Sequence, residues 1–381
     1  MLIFMILTDE QEIIRDTVRS FARERVAPEA EYRSKNALFP KEPLQEMAKL
    51  GLLGMLVPEE WGGSGSGYLA FVLAMEEIAA ADGALSTIMS VHSSPCTTAL
   101  VKFGTEAQKE KFLKPMARGE FIGAFALTEP AAGSDASAIQ TKAVKDGDDW
   151  IINGAKQFIT SGKNGGMTIV FALTEPAAGK KGISAFLVPT DTKGYHVTKI
   201  EEKFGQHASD TCALSFEDMR VPQDFMLGTA GEGYKIALSN LEGGRLGISA
   251  QAIGMARAAY EFALDYAQER QSFGKPLTAH QALSFRLADM ATKIELARTM
   301  LHHTATLRDA GAPCTKEACM IKLYASEMAE EVIREAMQIL GGYGYLEDYP
   351  LARIYGDARV CSIYEGTSDI QRLVIGREIL K

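Results

Sequence analysis

"WIINGAKQFITSGKNGGMTIVFALTEPAAGKKGISAFLVP", Trp150 to Pro189, is the stretch in which the chain changes character. The apolar runs "WIINGAKQFIT", "GMTIVFALT" and "GISAFLVP" are rich in β-branched and aromatic residues and are divided by Gly, Asn and Lys breaks. "GYHVTKI" (194–200) and "TCALSFEDMRVP" (211–222) continue the style, and "DGDD" (146–149) and "PAAGKKG" (176–182) read as hairpin connections. Runs of this length between turn residues predict strands, and so a small β-sheet domain.

Working outward, both flanks are helical. In "DEQEIIRDTVRSFARERVAP" (9–28) the residues Ile13, Ile14, Thr17, Val18, Phe21 and Ala22 make one apolar stripe, with Arg and Glu on the other side. That is the 3.6-residue period of an amphipathic helix, and Pro28 follows its last turn. Helical character resumes in "LAFVLAMEEIAAAD" (69–82) after the loop "VPEEWGGSGSGY". Beyond Gly231 three long periodic segments and a shorter terminal one predict a four-helix bundle. The fold class expected is α+β: an N-terminal all-helical domain over 1–122, a middle β-sheet domain over 123–230 and a C-terminal four-helix bundle over 231–381.

Composition excludes several classes of function. The 381 residues are 46% hydrophobic and 23% charged, a globular balance for two or three domains. A net charge of −9 without a basic run argues against nucleic acid as partner. The apolar start "MLIFMIL" lacks a basic flank and runs into "TDEQE", so no signal peptide is expected, and no other run approaches a membrane span. The expected location is the cytoplasm, with a mature mitochondrial-matrix form as the alternative. The five cysteines are scattered and unpaired in pattern, and the six histidines form no HExxH, so neither a disulfide framework nor a metal site is expected.

The sequences that could carry chemistry are individually weak. "FALTEPAAG" occurs twice, at 125–133 and 171–179; only the first continues into "SDAS", which offers a hydroxyl and a capping Asp. "QILGGYGY" (338–345) follows a helix, so its glycines read equally as a helix cap or as backbone open to a phosphate. Arg270 in "ERQSFGKP" (269–276) alone is a solvated last-turn cation. Glu365 in "SIYEGTSDIQ" (362–371), beside a glycine, alone is a turn residue.

Taken in order, "FALTEPAAGSD", "KQFITSG", "FEDMRVP", "LEGGRLGISAQAIGMARAA", "ERQSFGKP", "QILGGYGY" and "IYEGTSDIQR" make the chain, from about Thr8 to its end, resemble the acyl-CoA dehydrogenase family, with the short-chain or butyryl-CoA branch nearest. The resemblance implies FAD-dependent α,β-dehydrogenation of a short-chain or short-branched acyl-CoA to the trans-2-enoyl-CoA, with electrons passed to an electron-transfer flavoprotein. It implies a homotetramer, a dimer of dimers. Glu365 would be the base that takes the α-proton. Phe125, Leu127, Thr128 and Ser134 would hold the flavin, Ser134 also nearing the substrate's CoA portion. Phe158, Ile159 and Thr160 would cover its other face. Arg270, Phe273, Gln281, Gln338, Gly341 and Gly342 would grip the ADP half, in part from a neighbouring subunit, and Thr367, Ser368 and Asp369 would meet FAD again. Glu242, Gly243, Gly244, Arg245 and Gly366 would lie along the acyl-CoA, and Met89 to His92 near the far end of its pocket.

A second arrangement in the family places the base one residue before the Arg of "LEGGR"; that residue here is Gly244, which disfavours it. Three departures stand out: His207 where the family usually has Arg, Phe158 where many relatives have Trp, and Asp369 for a common Glu. The rival expectations are an acyl-CoA oxidase using O2, or a non-catalytic acyl-CoA binding protein on the same scaffold.

Overall fold

The computed structural model describes residues 7–381, so most of the apolar start lies outside it. The first helical region comprises α1 (Asp9–Phe21), α2 (Ala27–Lys35), α3 (Lys41–Lys49), α4 (Gly67–Ala81), α5 (Gly83–Val91), α6 (Thr98–Phe103), α7 (Glu106–Gln108) and α8 (Lys114–Ala117). Thr8 begins α1 with a reciprocal capping box to Gln11. Val18, Phe21 and Ala22 are buried as the stripe predicts, but Ile13, at 65%, and Thr17, one turn on, are exposed. The stripe therefore runs through Ile14, Val18 and Phe21, and Ile13, about 100° round the helix from Ile14, falls on the open side. α5 ends in a widened turn, His92–Thr97, broken at Ser94, whose backbone is extended ahead of Pro95.

The sheet holds β1 (Gly123–Ala126), β2 (Lys142–Asp146), β3 (Asp149–Thr160), β4 (Met167–Leu173), β5 (Ile183–Pro189), β6 (Tyr195–Ile200), β7 (Thr211–Pro222) and β8 (Met226–Leu227). Its order is β6-β7-β3-β2-β4-β5-β8, with β1 added in parallel to β4. Residues of β4 alternate between two cores: Ile169 and Phe171 face Cys96, Leu100, Phe112 and Met116 of the first helical region, while Val170 and Ala172 face Trp150, Phe186 and Phe216. Burial on both faces explains why "TIVFAL" and "ISAFLV" read as unbroken apolar runs rather than alternating ones.

Three long helices follow, α9 (Gly233–Glu269), α10 (Gln281–Asp309) and α11 (Thr315–Leu340), with the two-residue strands β9 (Gln271–Ser272) and β10 (Lys275–Pro276) between the first two. The end of the chain forms two short helices, α12 (Pro350–Arg359) and α13 (Ser368–Ile379), and the turn between them carries Glu365. Residues of α4 (Phe71, Met75, Ile78), α9 (Leu246, Ile253, Ala256) and α11 (Ile321, Ala325, Ala329) share one core, so the two helical regions bury their apolar stripes against each other. Among the described residues no helix is long and apolar enough to cross a membrane, and no cluster of three or more His, Cys, Asp or Glu could hold a metal.

Candidate active site

Glu365 and Gly366 both lie in the left-handed region, at φ 54° and 90°. For a non-glycine residue that costs of order 1–3 kcal/mol and persists only when neighbours over-determine it. Here they do. The Gly366 carbonyl accepts from Lys322 Nζ at 2.7 Å and from Gln371 Nε2 at 2.8 Å, and Gln371 also donates to the Glu365 carbonyl at 3.3 Å. Thr367 Oγ1 caps α13 by accepting from the Ile370 N–H at 3.3 Å. Tyr364 donates to Gln251 Oε1 in α9, and Gln251 donates to the Gly83 carbonyl and to Thr87 Oγ1 in α5. A Cβ on Gly366 would stand 2.7 Å from Gln371 Nε2, so only glycine fits this bracing.

The carboxylate lies against α9 where that helix has no side chain. A Cβ on Gly244 would meet Glu365 Oε2 at 2.7 Å, so the loop acid fills the place over the helix glycine. Loss of solvation raises the Glu365 carboxyl above its ordinary value, opposed by the charges of Arg245 and Lys322. Among the described residues no hydrogen bond stabilises its ionised form. Its backbone N–H has no partner among the described residues, leaving a donor free beside the carboxylate. The helix face on either side is closed: Ser94 Oγ and Tyr68 OH fill the space at Gly243, and Ser90 Oγ fills it at Gly247. The Ser90 and Ser94 hydroxyls are buried without partners among the described residues.

A second cluster is built where β1 leaves the sheet. Lys156 of β3 is buried and donates to Glu129 Oε1 at 2.8 Å and to the Leu127 carbonyl at 3.1 Å. Glu129 also accepts from the N–H groups of Gln140 and Thr141, and the Gln157 N–H donates to the Thr128 carbonyl at 2.9 Å. Residues 127–129 are thus fastened to β3 from beneath. Between Lys156 and Ile159 the pairing of β3 with β7 slips, and Phe158 is everted there at φ 60° and 63% exposure. Bulges of this kind re-aim side chains next to active sites. Ile159 turns inward, 2% exposed, and so offers a ligand only its backbone.

Three family models match the chain: the N-terminal domain of acyl-CoA dehydrogenase over residues 8–120, the middle domain over 124–219 and the C-terminal domain over 231–380. The chain belongs to the acyl-CoA dehydrogenase family. Members are oxidoreductases. It is 47% identical over 375 residues to the mitochondrial short-chain specific acyl-CoA dehydrogenase of Bos taurus, covering 98% of this chain and 91% of that one. Among solved structures, the butyryl-CoA dehydrogenase of Megasphaera elsdenii superposes with a TM-score of 0.97 at 43% identity over the whole of both chains. A chain from the structure described as the electron transferring flavoprotein of Acidaminococcus fermentans, concerned with flavin-based electron bifurcation, gives 0.98 at 44%, again over the whole of both.

The remaining candidate residues lie apart from these two clusters. Arg270, Gly341 and Gly342 line a hollow of about 490 Å³ with Tyr266, Leu277 and Tyr343, and the Arg270 guanidinium lies 5.7 Å from the Tyr343 ring centre. An added Cβ on Gly341 or Gly342 would meet nothing, so backbone there is open to a bulky anionic group. Phe273 is 97% exposed at φ 49°, and Gln281 and Gln338 are also exposed. These residues fit the ADP half of a dinucleotide. Ser134 and Asp369 stand on the surface, while the Ser368 hydroxyl is buried without a partner.

Glu242 is already engaged by protein groups: Arg308 donates to it at 2.6 Å, and Thr315 donates to its other oxygen. Met89, Ser90 and His92 are buried, and His92 Nδ1 accepts from the Gly123 N–H at 3.1 Å. Burial pulls His92 down to about 4, which keeps the ring neutral and able to accept that bond. His207 is exposed, its Nε2 2.7 Å from the Lys203 carbonyl, and it makes no hydrogen bond to the neighbouring buried pair of Gln206 and Asp357 among the described residues.

Sequence reasoning missed Lys322, Gln371, Lys156 and Glu129. The signal was present for both lysines. Lys322 falls on the buried stripe of α11 with Ala318, Ala325 and Ala329, and Lys156 shares a strand face with Trp150 and Ile152. A lysine at a core position is rare unless it is paired.

Proposed function

We propose that this chain oxidises a short-chain acyl-CoA thioester to the trans-2-enoyl-CoA, with FAD as its bound acceptor and an electron-transfer flavoprotein as the partner that takes the electrons. The observation that carries the reading is the Glu365 carboxylate, unbonded and desolvated over Gly244 on a braced turn. Removing a proton from the α-carbon needs a base with no competing hydrogen bonds and a pKa lifted toward the working pH. Glu365 takes that proton, and the free N–H of the same residue points to a donor for the thioester oxygen as negative charge develops there. Arg245 and Lys322 supply positive charge close to the base.

When bound, FAD supplies the acceptor for the hydride that leaves the β-carbon. Phe125, Leu127, Thr128, Phe158 and Thr160 would hold the ring system, on the fastened loop and the bulged strand. Arg270, Phe273, Gln281, Gln338, Gly341 and Gly342 would hold the ADP half, with Ser134 and Thr367 to Asp369 nearby. Gly243, Gly244, Arg245 and Gly366 would line the substrate. The exposure of Phe273 supports a second copy covering it, in a homotetramer. The enzyme would work in the cytoplasm, with domain limits of 1–122, 123–230 and 231–381.

Short substrates are favoured because Ser94, Tyr68 and Ser90 close the α9 face on both sides of Gly244. The test is anaerobic addition of saturated acyl-CoAs of increasing length to the purified holoenzyme. Flavin bleaching with highest kcat/KM at about four to eight carbons is expected, since each methylene that fits or fails to fit changes the ratio by roughly tenfold or more. Highest kcat/KM on a sixteen-carbon substrate would contradict the short-chain reading, and a protein that binds no flavin would contradict the whole of it.

A further inference from the structure

Lys322 is fully buried on the apolar stripe of α11, where a methionine would pack at no electrostatic cost. Its hydrogen bond goes to a carbonyl, that of Gly366, and among the described residues no carboxylate lies within ion-pair distance of it. The charged and titratable groups that face it are Glu365 and Cys361 from the C-terminal turn, Cys319 from its own helix and Arg245 from α9. Arg245 disfavours the ammonium form, Cys361 and then Glu365 favour it, and Glu365 is the carboxylate among them. A buried cation without a direct counter-ion, tied to the residue after the base, acts on the base.

Resting on the functional reading above, we propose that Lys322 is a positioning residue for proton abstraction: it grips the Gly366 carbonyl so that the strained turn holds Glu365 over Gly244, and its positive charge favours the ionised carboxylate. Gln371 shares the first task, donating to the same carbonyl, but carries no charge. Burial lowers Lys322 to about 8, so it is largely protonated at neutral pH and able to do both.

The test compares Lys322→Met with wild-type holoenzyme in anaerobic single-turnover reduction by a short acyl-CoA across pH. Flavin content and the acyl-CoA-induced change in the flavin spectrum serve as controls. The expected result is normal flavin content and near-normal acyl-CoA affinity, with reduction at neutral pH slowed by about 10- to 10²-fold, the scale of a misplaced catalytic group. The acid limb of the profile moves to higher pH, because the base has lost a stabilising cation. Lys322→Gln, which keeps a donor but not the charge, is expected to show the same limb shift with a smaller loss of plateau rate, so the test does not depend on one variant folding. A limb at the wild-type pH in both variants, whatever the plateau, overturns the proposal. A wild type that no acyl-CoA reduces refutes the functional reading instead.

Discussion

Glu129 and Glu365 are both carboxylates close to a buried lysine, and they end in opposite states. Glu129 accepts from Lys156 at 2.8 Å and from two backbone N–H groups, and these hold it below its ordinary value despite the cost of burial. Glu365 has two cations nearby but no hydrogen bond to its carboxylate, and burial lifts it above that value. The lysines differ in the same sense: Lys156 spends its charge on Glu129, while Lys322 spends its hydrogen bond on a carbonyl. Burial alone therefore does not make a base. What decides is whether donors have been placed on the ionised form. The first acid fastens a loop, and the second is left unbonded, as the proposed base would have to be.

The largest expected effect falls on the free acid. Glu365→Gln keeps the turn and its N–H but removes the basic lone pair, and losing a general base costs about 10² to 10⁴ in rate. Stopped-flow mixing with acyl-CoA should show a perturbed flavin spectrum without bleaching; reduction within a few-fold of wild type would make Glu365 an ordinary turn residue. On the tied acid the effect is on stability instead. Lys156→Met strands Glu129 in the protein interior, where breaking a buried pair costs roughly 3–5 kcal/mol. Denaturant unfolding should show that loss, and adding Glu129→Leu should recover most of it.

Smaller effects sharpen the contrast. Gly244→Ala places a methyl 2.7 Å from Glu365 Oε2, which the flexible end of the side chain can escape only by leaving its place. Reduction should slow by about tenfold through misplacement of the base, with the unfolding midpoint barely changed. The smallest effect tests the repeated nonapeptide. Glu175 occupies in the second "FALTEPAAG" the place of Glu129 in the first, but it is exposed and reaches no lysine. Glu175→Gln should leave both the unfolding midpoint and flavin content unchanged.

The division into helical, β and helical regions was legible because the hydrophobic period changes from 3.6 to strand-like runs near Ile122 and back near Gly231. The core shared by the two helical regions was not, since α4 and α9 carry apolar residues whose common burial only the tertiary fold reveals. Glu365 was legible through "IYEGTSDIQR", but the meeting of Gly244 with its carboxylate joins residues over a hundred positions apart. The repeat shows the same limit: the identical stretches 125–133 and 171–179 both start at the ends of paired strands, β1 and β4, with the ring centres of Phe125 and Phe171 4.8 Å apart. Lys156, contributed by a third strand, and the N–H groups of Gln140 and Thr141 separate their roles.

If Glu365 is the base because it is desolvated and unbonded, the pH dependence of single-turnover flavin reduction must carry its titration. A base works only when ionised, so the rate should rise with pH and level off once the carboxyl has lost its proton. Because the Glu365 carboxyl is raised, that limb should lie above the usual glutamate value of about 4.3. It should also vanish from whatever slow reduction survives in Glu365→Gln. A limb at or below the usual value, or one that persists in the variant, would contradict the account.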